Sequence, residues 1–383
     1  MVAVVFILIL FTYGLINFYI GWAGWNYIFK YIPYVSKGLY WLVFWFIAWS
    51  YLLDRLGKRF LPFGLENVVS WVGSYWIAAF FYIILFLVPI ILVKVIDKKL
   101  HFLPEWLMNY SHKPHPVAIA TVIIVIAIII YGTWNARNPG IVRYDLTIPK
   151  KATVEELHLV MASDIHLGEI MDEKRLEKMV EMINELNPDL VLFAGDVIDS
   201  DASFFTERKI TDIFLMLNPK YGVYTVLGNH EYINGHVNKT ITNLEQSKVQ
   251  VLRDDAIEIA NSFYIIGRDD MSRNRFLEGS RKKLPELMKN VDKRMPIILL
   301  DHQPNNLDEA EKLGVDLQLS GHTHRGQMFP NNFITERIFE VDWGYLSKGD
   351  LQVIVSLGFG TWGPPIRVGN TPEIVDINIK FGG

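Results

Sequence analysis

Five short apolar runs in the second half of this chain each end on Asp, Asn or His, and this repetition limits the available folds more than any other feature. The runs are LHLVMASD (157–164), DLVLFAGD (189–196), GVYTVLGN (222–229), PIILLDH (296–302) and VDLQLSGH (315–322). Each reads as a buried strand, and each delivers a potential ligand at its C-terminal end. One site assembled from five strand ends is the economical reading, because loops on a rigid sheet hold chemistry in place. Carboxylate, amide oxygen and imidazole together suit borderline divalent ions such as manganese, iron or zinc. The chain has no cysteine, so a thiolate site and a disulfide framework are both excluded. The clusters offer more ligands than one tetrahedral zinc accepts, and about the number that two metals sharing a bridge require.

In order, the clusters are Asp164-Ile-His166, Gly195-Asp196-Val-Ile-Asp199, Gly228-Asn229-His230-Glu231, Asp301-His302 and Gly321-His322-Thr-His324. This order and spacing resembles the calcineurin-like metallophosphoesterase superfamily. The tail is similar to its bacterial membrane-linked or exported branch, through Asp301-His302-Gln303-Pro304, Gly326-Gln327, the run from Gly358 to Arg367, and Pro372-Glu373-Ile374. The likeness covers roughly Ile141 to Lys380; Arg325 departs from it, standing where a second small residue is expected. It implies a metal-dependent phosphoric ester or pyrophosphate hydrolase with two divalent ions (manganese, zinc or iron) and a metal-bridging hydroxide as nucleophile. Residue by residue, it implies Asp164, His166 and His324 on the first metal, Asn229, His302 and His322 on the second, and Asp196 as the bridge. His230 would protonate the leaving group, and Asp199 would orient a ligand histidine or its turn, with a helix cap as its alternative role. Arg325 and Arg367 are the candidate phosphate-anchoring cations, since a guanidinium matches phosphate in a bidentate way. Gly195, Gly228 and Gly321 precede ligands at turns, where positive φ or close backbone approach favours a residue without Cβ.

The first third lies outside the resemblance. Of the 383 residues, 51% are hydrophobic, and the excess falls before about residue 135. Apolar stretches from about Val2 to Trp22, Leu39 to Leu53, Val69 to Val93 and Val117 to Thr133 predict an all-α membrane domain of about four helices. The second is short, with Trp41, Trp45, Trp49 and Tyr51 extending it toward the interface. The first lacks the basic start and cleavage site of a signal peptide. Lys and Arg are almost evenly split between the two sides, so charge does not orient the domain. The uncharged N-terminus and the exported relatives point to a bacterial plasma-membrane protein with an extracytoplasmic catalytic domain. Aromatic residues such as Trp22, Trp25 and Tyr27 read either as an interfacial belt or as a surface for a lipid tail.

The expected architecture is therefore a membrane domain over 1–135 and, over 136–383, an α/β fold of two packed sheets with flanking helices. A strand begins at Val142, about ten residues after the last span. A helix runs from Asp172 to Asn187 with Leu176, Met179, Val180, Ile183 and Leu186 on one stripe, and Pro188 ends it. A net charge of −4 suggests no nucleic-acid partner. The bilayer and a lipid phosphate at its surface are the expected partners, through a short tether and an apolar groove from the His324–Arg325 turn lined by Phe204, Phe205, Phe359 or Trp362. A membrane-anchored phosphodiesterase for a soluble nucleotide or wall polymer, and a non-catalytic membrane sensor or scaffold, are the competing readings.

Overall fold

The computed structural model describes residues 2–57, 64–104, 114–199 and 209–382. Phe204 and Phe205 lie outside the described residues, as do Lys58, Arg59 and His112. The chain divides into two compact units, Met1–Tyr131 and Gly132–Gly383.

The first unit contains the helices α1 (Val2–Tyr27), α2 (Lys37–Gly57), α3 (Leu65–Leu100) and most of α4 (Pro116–Ala136). Among the described residues, the stretches Val4–Tyr31, Leu65–Leu100 and Pro116–Ala136 are long and apolar enough to cross a membrane. The α2 helix forms but is not among them, because Trp, Tyr, Ser50, Asp54 and Arg55 replace aliphatic residues along it. Its partner is α3, against which the α2 backbone at Ser50 and Tyr51 lies too close to Gly73 for a Cβ. Tyr40, Phe44 and Ala48 form a small buried cluster with Trp41, Trp45 and Trp76 packed on it.

The second unit is a two-sheet sandwich. One sheet has the order β1 (Gly140–Ile148), β12 (Glu373–Phe381), β2 (Glu156–Ala162), β3 (Leu190–Phe193), β4 (Val223–Thr225) and β5 (Val249–Val251). The other has β10 (Gly344–Lys348), β11 (Leu351–Val355), β9 (Leu317–Ser320), β8 (Ile297–Leu300), β7 (Phe263–Gly267) and β6 (Asp255–Ile259). The runs β2-β3-β4-β5 and β11-β9-β8-β7 are parallel, so their C-terminal ends emerge on one edge of each sheet. Strands buried on both faces need predominantly apolar sequence, which explains the five apolar runs, with buried Thr225 and Gln318 as polar members. Leu159, Met161 and Leu192 meet Ile265, Leu300 and Leu319 between the sheets. Val160, Val191 and Phe193 face the other way, onto Leu176, Met179, Val180 and Ile183 of helix α5 (Glu173–Leu186). The Asp172 side chain caps that helix by accepting from the Arg175 amide, and Asn187 closes it at φ 52°.

Strand β1 starts at Gly140, with only three residues between it and Ala136, whereas the sequence suggested a tether of about ten. The last apolar helix extends past Thr133 to Ala136, and its final turn, from Gly132, is itself part of the second unit. Gly132 O accepts from the Arg367 amide at 2.9 Å, and Asn135 Nδ2 donates to the Arg367 and Asn370 carbonyls at 3.1 and 2.6 Å.

Candidate metal centre

The ends of β2, β3, β4, β8 and β9 bring the expected residues into one place. Asp164, His166 and His324 offer ligand atoms that all lie within 4.8 Å of one another, as do those of Asp196, His302 and His322. Between the two sets stands a single carboxylate oxygen, Asp196 Oδ2, 3.2 Å from His302 Nε2 and 3.9 Å from His166 Nε2. Asn229 Oδ1 is 3.3 Å from His302 Nε2, on the side of the second set. Asp301 is different. Its carboxylate turns to Arg268 and Arg281, each at 3.0 Å, and takes no part in the centre.

The loops that carry these groups are conformationally demanding. Asp164, His166, Asp196, His322 and His324 have φ of 50°, 53°, 52°, 72° and 45°, a region that residues with a Cβ enter at a cost of about 1–3 kcal/mol each. The fold holds them there by interlocking the turns: the Asp164 amide donates to Gly195 O and the His166 amide to Asp196 O, both at 3.0 Å. Gly195 has φ 86° and passes close to the His302 ring, whereas Gly228 reaches no positive φ and serves by close approach to the Asp196 carboxylate.

The electrostatics fit cation ligands. Burial lowers His166 and His322 to about 4 each, so both rings are neutral with lone pairs available. His166 Nε2 faces His324 Nε2 at 3.0 Å, and His166 Nδ1 is buried without a hydrogen-bond partner. Burial raises Asp164 to about 6, helped by Asp196 and opposed by His302. His302 Nδ1 donates to Ala194 O at 2.7 Å, which aims Nε2 into the centre. Burial opposes charge on this pair, but their mutual attraction prevails, holding His302 above and Asp196 below their ordinary ranges. A metal must displace that proton. Loading with Mn²⁺ in weak buffer at neutral pH should therefore release about one proton per site, read with an indicator dye, and affinity should fall as pH falls.

His230 and Asp199 form a separate pair at the rim. Asp199 Oδ1 is 2.7 Å from His230 Nδ1, so the carboxylate orients this ring, and the ligand atoms of Asp199, His230 and His166 also lie within 4.8 Å of one another. Burial works against a charged His230, but Asp199 and Asp196 outweigh it and raise the ring to about 9. Trp362, half exposed, lies edge to face with His230 at 6.2 Å between centroids.

The two arginines expected to anchor phosphate are placed otherwise. Arg367 is fully buried: it donates to the Gly358 and Gly360 carbonyls, to Asn370 Oδ1 at 3.0 Å and to His324 Nδ1 at 2.9 Å. Burial lowers it to about 10, and all three of its guanidinium nitrogens donate to protein acceptors. A guanidinium only donates, so His324 Nδ1 accepts, and this bond fixes the ring with Nε2 turned toward His166 Nε2. Arg325 pairs with Glu336 at 3.2 Å and lies over Trp343 at 4.9 Å, in the surface ion pair open to it from sequence. It occupies its unexpected position by taking φ 47°. Phe359, expected along a groove, is buried in the helix-side core. Arg367→Leu should cost roughly 3 kcal/mol of stability through the carbonyls left unpaired and weaken metal binding about 10–100-fold. A raised KM with metal content intact would restore the phosphate-anchoring role.

Glu231 was visible only as the acid closing its cluster. Buried, it accepts from the Ile198 and Gly228 amides at 2.9 and 2.7 Å and so ties the Asp196 turn to the Asn229 turn. Acidic residues that hold two loops rather than a ligand leave no distinct mark in a sequence.

A two-sheet sandwich whose parallel strand ends gather Asp, Asn and His around one carboxylate is the architecture of a metal-dependent phosphoester hydrolase. The chain belongs to the calcineurin-like phosphoesterase family, which matches residues 157–326. An uncharacterized metallophosphoesterase of Aquifex aeolicus (strain VF5) is 38% identical over 246 residues, covering 63% of this chain and 92% of the relative. A transmembrane protein with metallophosphoesterase domain from Danio rerio is 32% identical over 277 residues; the match covers 68% of this chain but only 62% of that protein. An uncharacterized metallophosphoesterase of Campylobacter jejuni is 31% identical over 271 residues, covering 68% of this chain and 69% of the relative.

Proposed function

We propose that the protein is a membrane-bound dinuclear-metal phosphoesterase that cleaves a phosphate ester or pyrophosphate bond of a lipid-linked substrate at the bilayer surface. Asp196 Oδ2, standing between the two histidine-containing sets, supports two metals and a bridge. Asp164, His166 and His324 would hold one ion; Asn229, His302 and His322 the other. The oxygen and nitrogen donors favour manganese, zinc or iron. When bound, such a pair supplies a nucleophile near neutral pH and positive charge for the phosphoryl oxygens. His230, protonated near neutral pH and held by Asp199, is positioned to give a proton to the leaving oxygen. Arg367 positions His324.

The lipid assignment rests on one observation. The loop that carries Arg367 and Trp362 is hydrogen-bonded to the final turn of an apolar, membrane-length helix through Gly132 and Asn135. A phosphate at headgroup level could be hydrolysed there while its chains stay in hydrocarbon, avoiding about 0.8 kcal/mol for each CH₂ drawn into water. We place the protein in a bacterial plasma membrane with the catalytic unit outside the cytoplasm.

The test is turnover of the purified full-length chain on long-chain phospholipids and isoprenoid or sugar-lipid pyrophosphates, against short-chain and nucleotide analogues, with Mn²⁺ and with chelator. Long-chain substrates should be favoured by 10-fold or more in kcat/KM, the order expected when remote apolar contacts contribute about 1.4 kcal/mol. Equal turnover on soluble analogues would favour the anchored phosphodiesterase. Truncation near Asn138 is a poor substitute, because it removes the contacts from Gly132 and Asn135 to the site loop.

A further inference from the structure

We propose that the outer face of the helix Asn332–Ile338, which follows the histidine turn, enters the headgroup layer of a phospholipid bilayer. This helix presents Phe333, Ile334 and Ile338 to solvent with 55%, 57% and 67% of their surface exposed, and Phe329 just before it is 47% exposed. Four large apolar side chains grouped on one short segment are unusual on a surface that meets only water. The charges are arranged for a membrane. Arg337 is exposed on the same helix, whereas its acid, Glu336, pairs with Arg325. Apolar residues flanked by a basic side chain are the composition of an interfacial helix.

The occupant is identified by continuity with the last apolar helix. A Cβ on Gly132 in that helix would lie 3.0 Å from the Val368 side chain. The Val368 carbonyl accepts from the Phe329 amide at 2.8 Å, and the Phe329 ring packs on Phe333 at 5.7 Å between centroids. The exposed helix is thus three contacts from the end of a membrane-length segment. Exposed Trp134 and Arg137 occupy that same end, where such residues mark the membrane–water boundary. The inference rests on the N-terminal helices crossing a membrane and is independent of the substrate.

The absence of cysteine makes a direct test available. Full-length Phe333→Cys, Ile334→Cys and Lys293→Cys proteins would each carry one environment-sensitive fluorophore and be reconstituted in phosphatidylcholine–phosphatidylglycerol vesicles. Lys293 is exposed ahead of β8, at the strand end opposite the ligands. Metal content matching the parent chain would verify each fold. Nitroxide-labelled lipid should quench roughly half or more of the emission at positions 333 and 334, with aqueous iodide excluded, and leave 293 almost unchanged. Iodide quenching at 333 and 334 equal to that at 293 would overturn the proposal. So would protection from both quenchers, which would mean that another protein surface, such as a second copy, covers the helix.

Discussion

Asp196→Asn is expected to remove metal and activity together. The Asp196 carboxylate faces both ligand sets through Oδ2, while its Oδ1 accepts from the His230 amide at 2.8 Å. An amide keeps the volume and the hydrogen bond but not the charge, and a neutral group between two dications leaves their repulsion uncompensated. Metal affinity should fall by more than about 100-fold, beyond the 10–100-fold typical of groups one step removed from a ligand. Metal analysis after gel filtration, together with turnover on any cleaved ester, reads both quantities. Two retained ions with full activity would sink the bridging assignment. The fold itself should survive, because the turn is also held by Glu231 on the Ile198 and Gly228 amides.

His230→Ala is expected to separate the two effects. The ring is bonded to Asp199 and lies at the rim, with its centroid 4.6 Å from that of His166. Metal content should stay close to that of the parent chain while turnover drops roughly 10²–10⁴-fold, the usual contribution of a positioned acid. The loss should be smallest on substrates whose leaving group is already acidic, since these need no proton. Asp199→Asn should reproduce part of the defect by freeing the ring. A stoichiometric loss of metal from the His230 variant would make it a ligand, and the role assigned here would be wrong.

The dependence on pH has a definite sign. His230 is raised to about 9, so its proton is present through the neutral range and is lost only above it. Acid acts on the ligands instead, by returning protons to imidazoles that must be neutral to bind metal. Activity should therefore decline on the acid side through metal loss, which excess Mn²⁺ offsets, and on the alkaline side through His230, which added metal does not restore.

The sequence alone determined the strands, their apolar character and which residue types stand at their ends. Burial on both faces of a parallel sheet demands largely apolar runs, and the turn leaving such a strand is where a ligand can be held; both requirements are local and so are written locally. The membrane-length helices were legible for the same reason, as runs of side chains suited to hydrocarbon. Tertiary structure alone decided what the cations and acids touch. Arg367 looked like a phosphate ligand because it adjoins a motif, yet the 358–370 loop folds inward and commits it to His324 and two carbonyls. Asp199 found His230 across 31 residues, and Asn135 found Asn370 across 235, pairings that no periodicity encodes. Positive φ at five ligand residues is likewise a property of interlocked turns, because a long-range fold must impose a conformation that the local sequence disfavours.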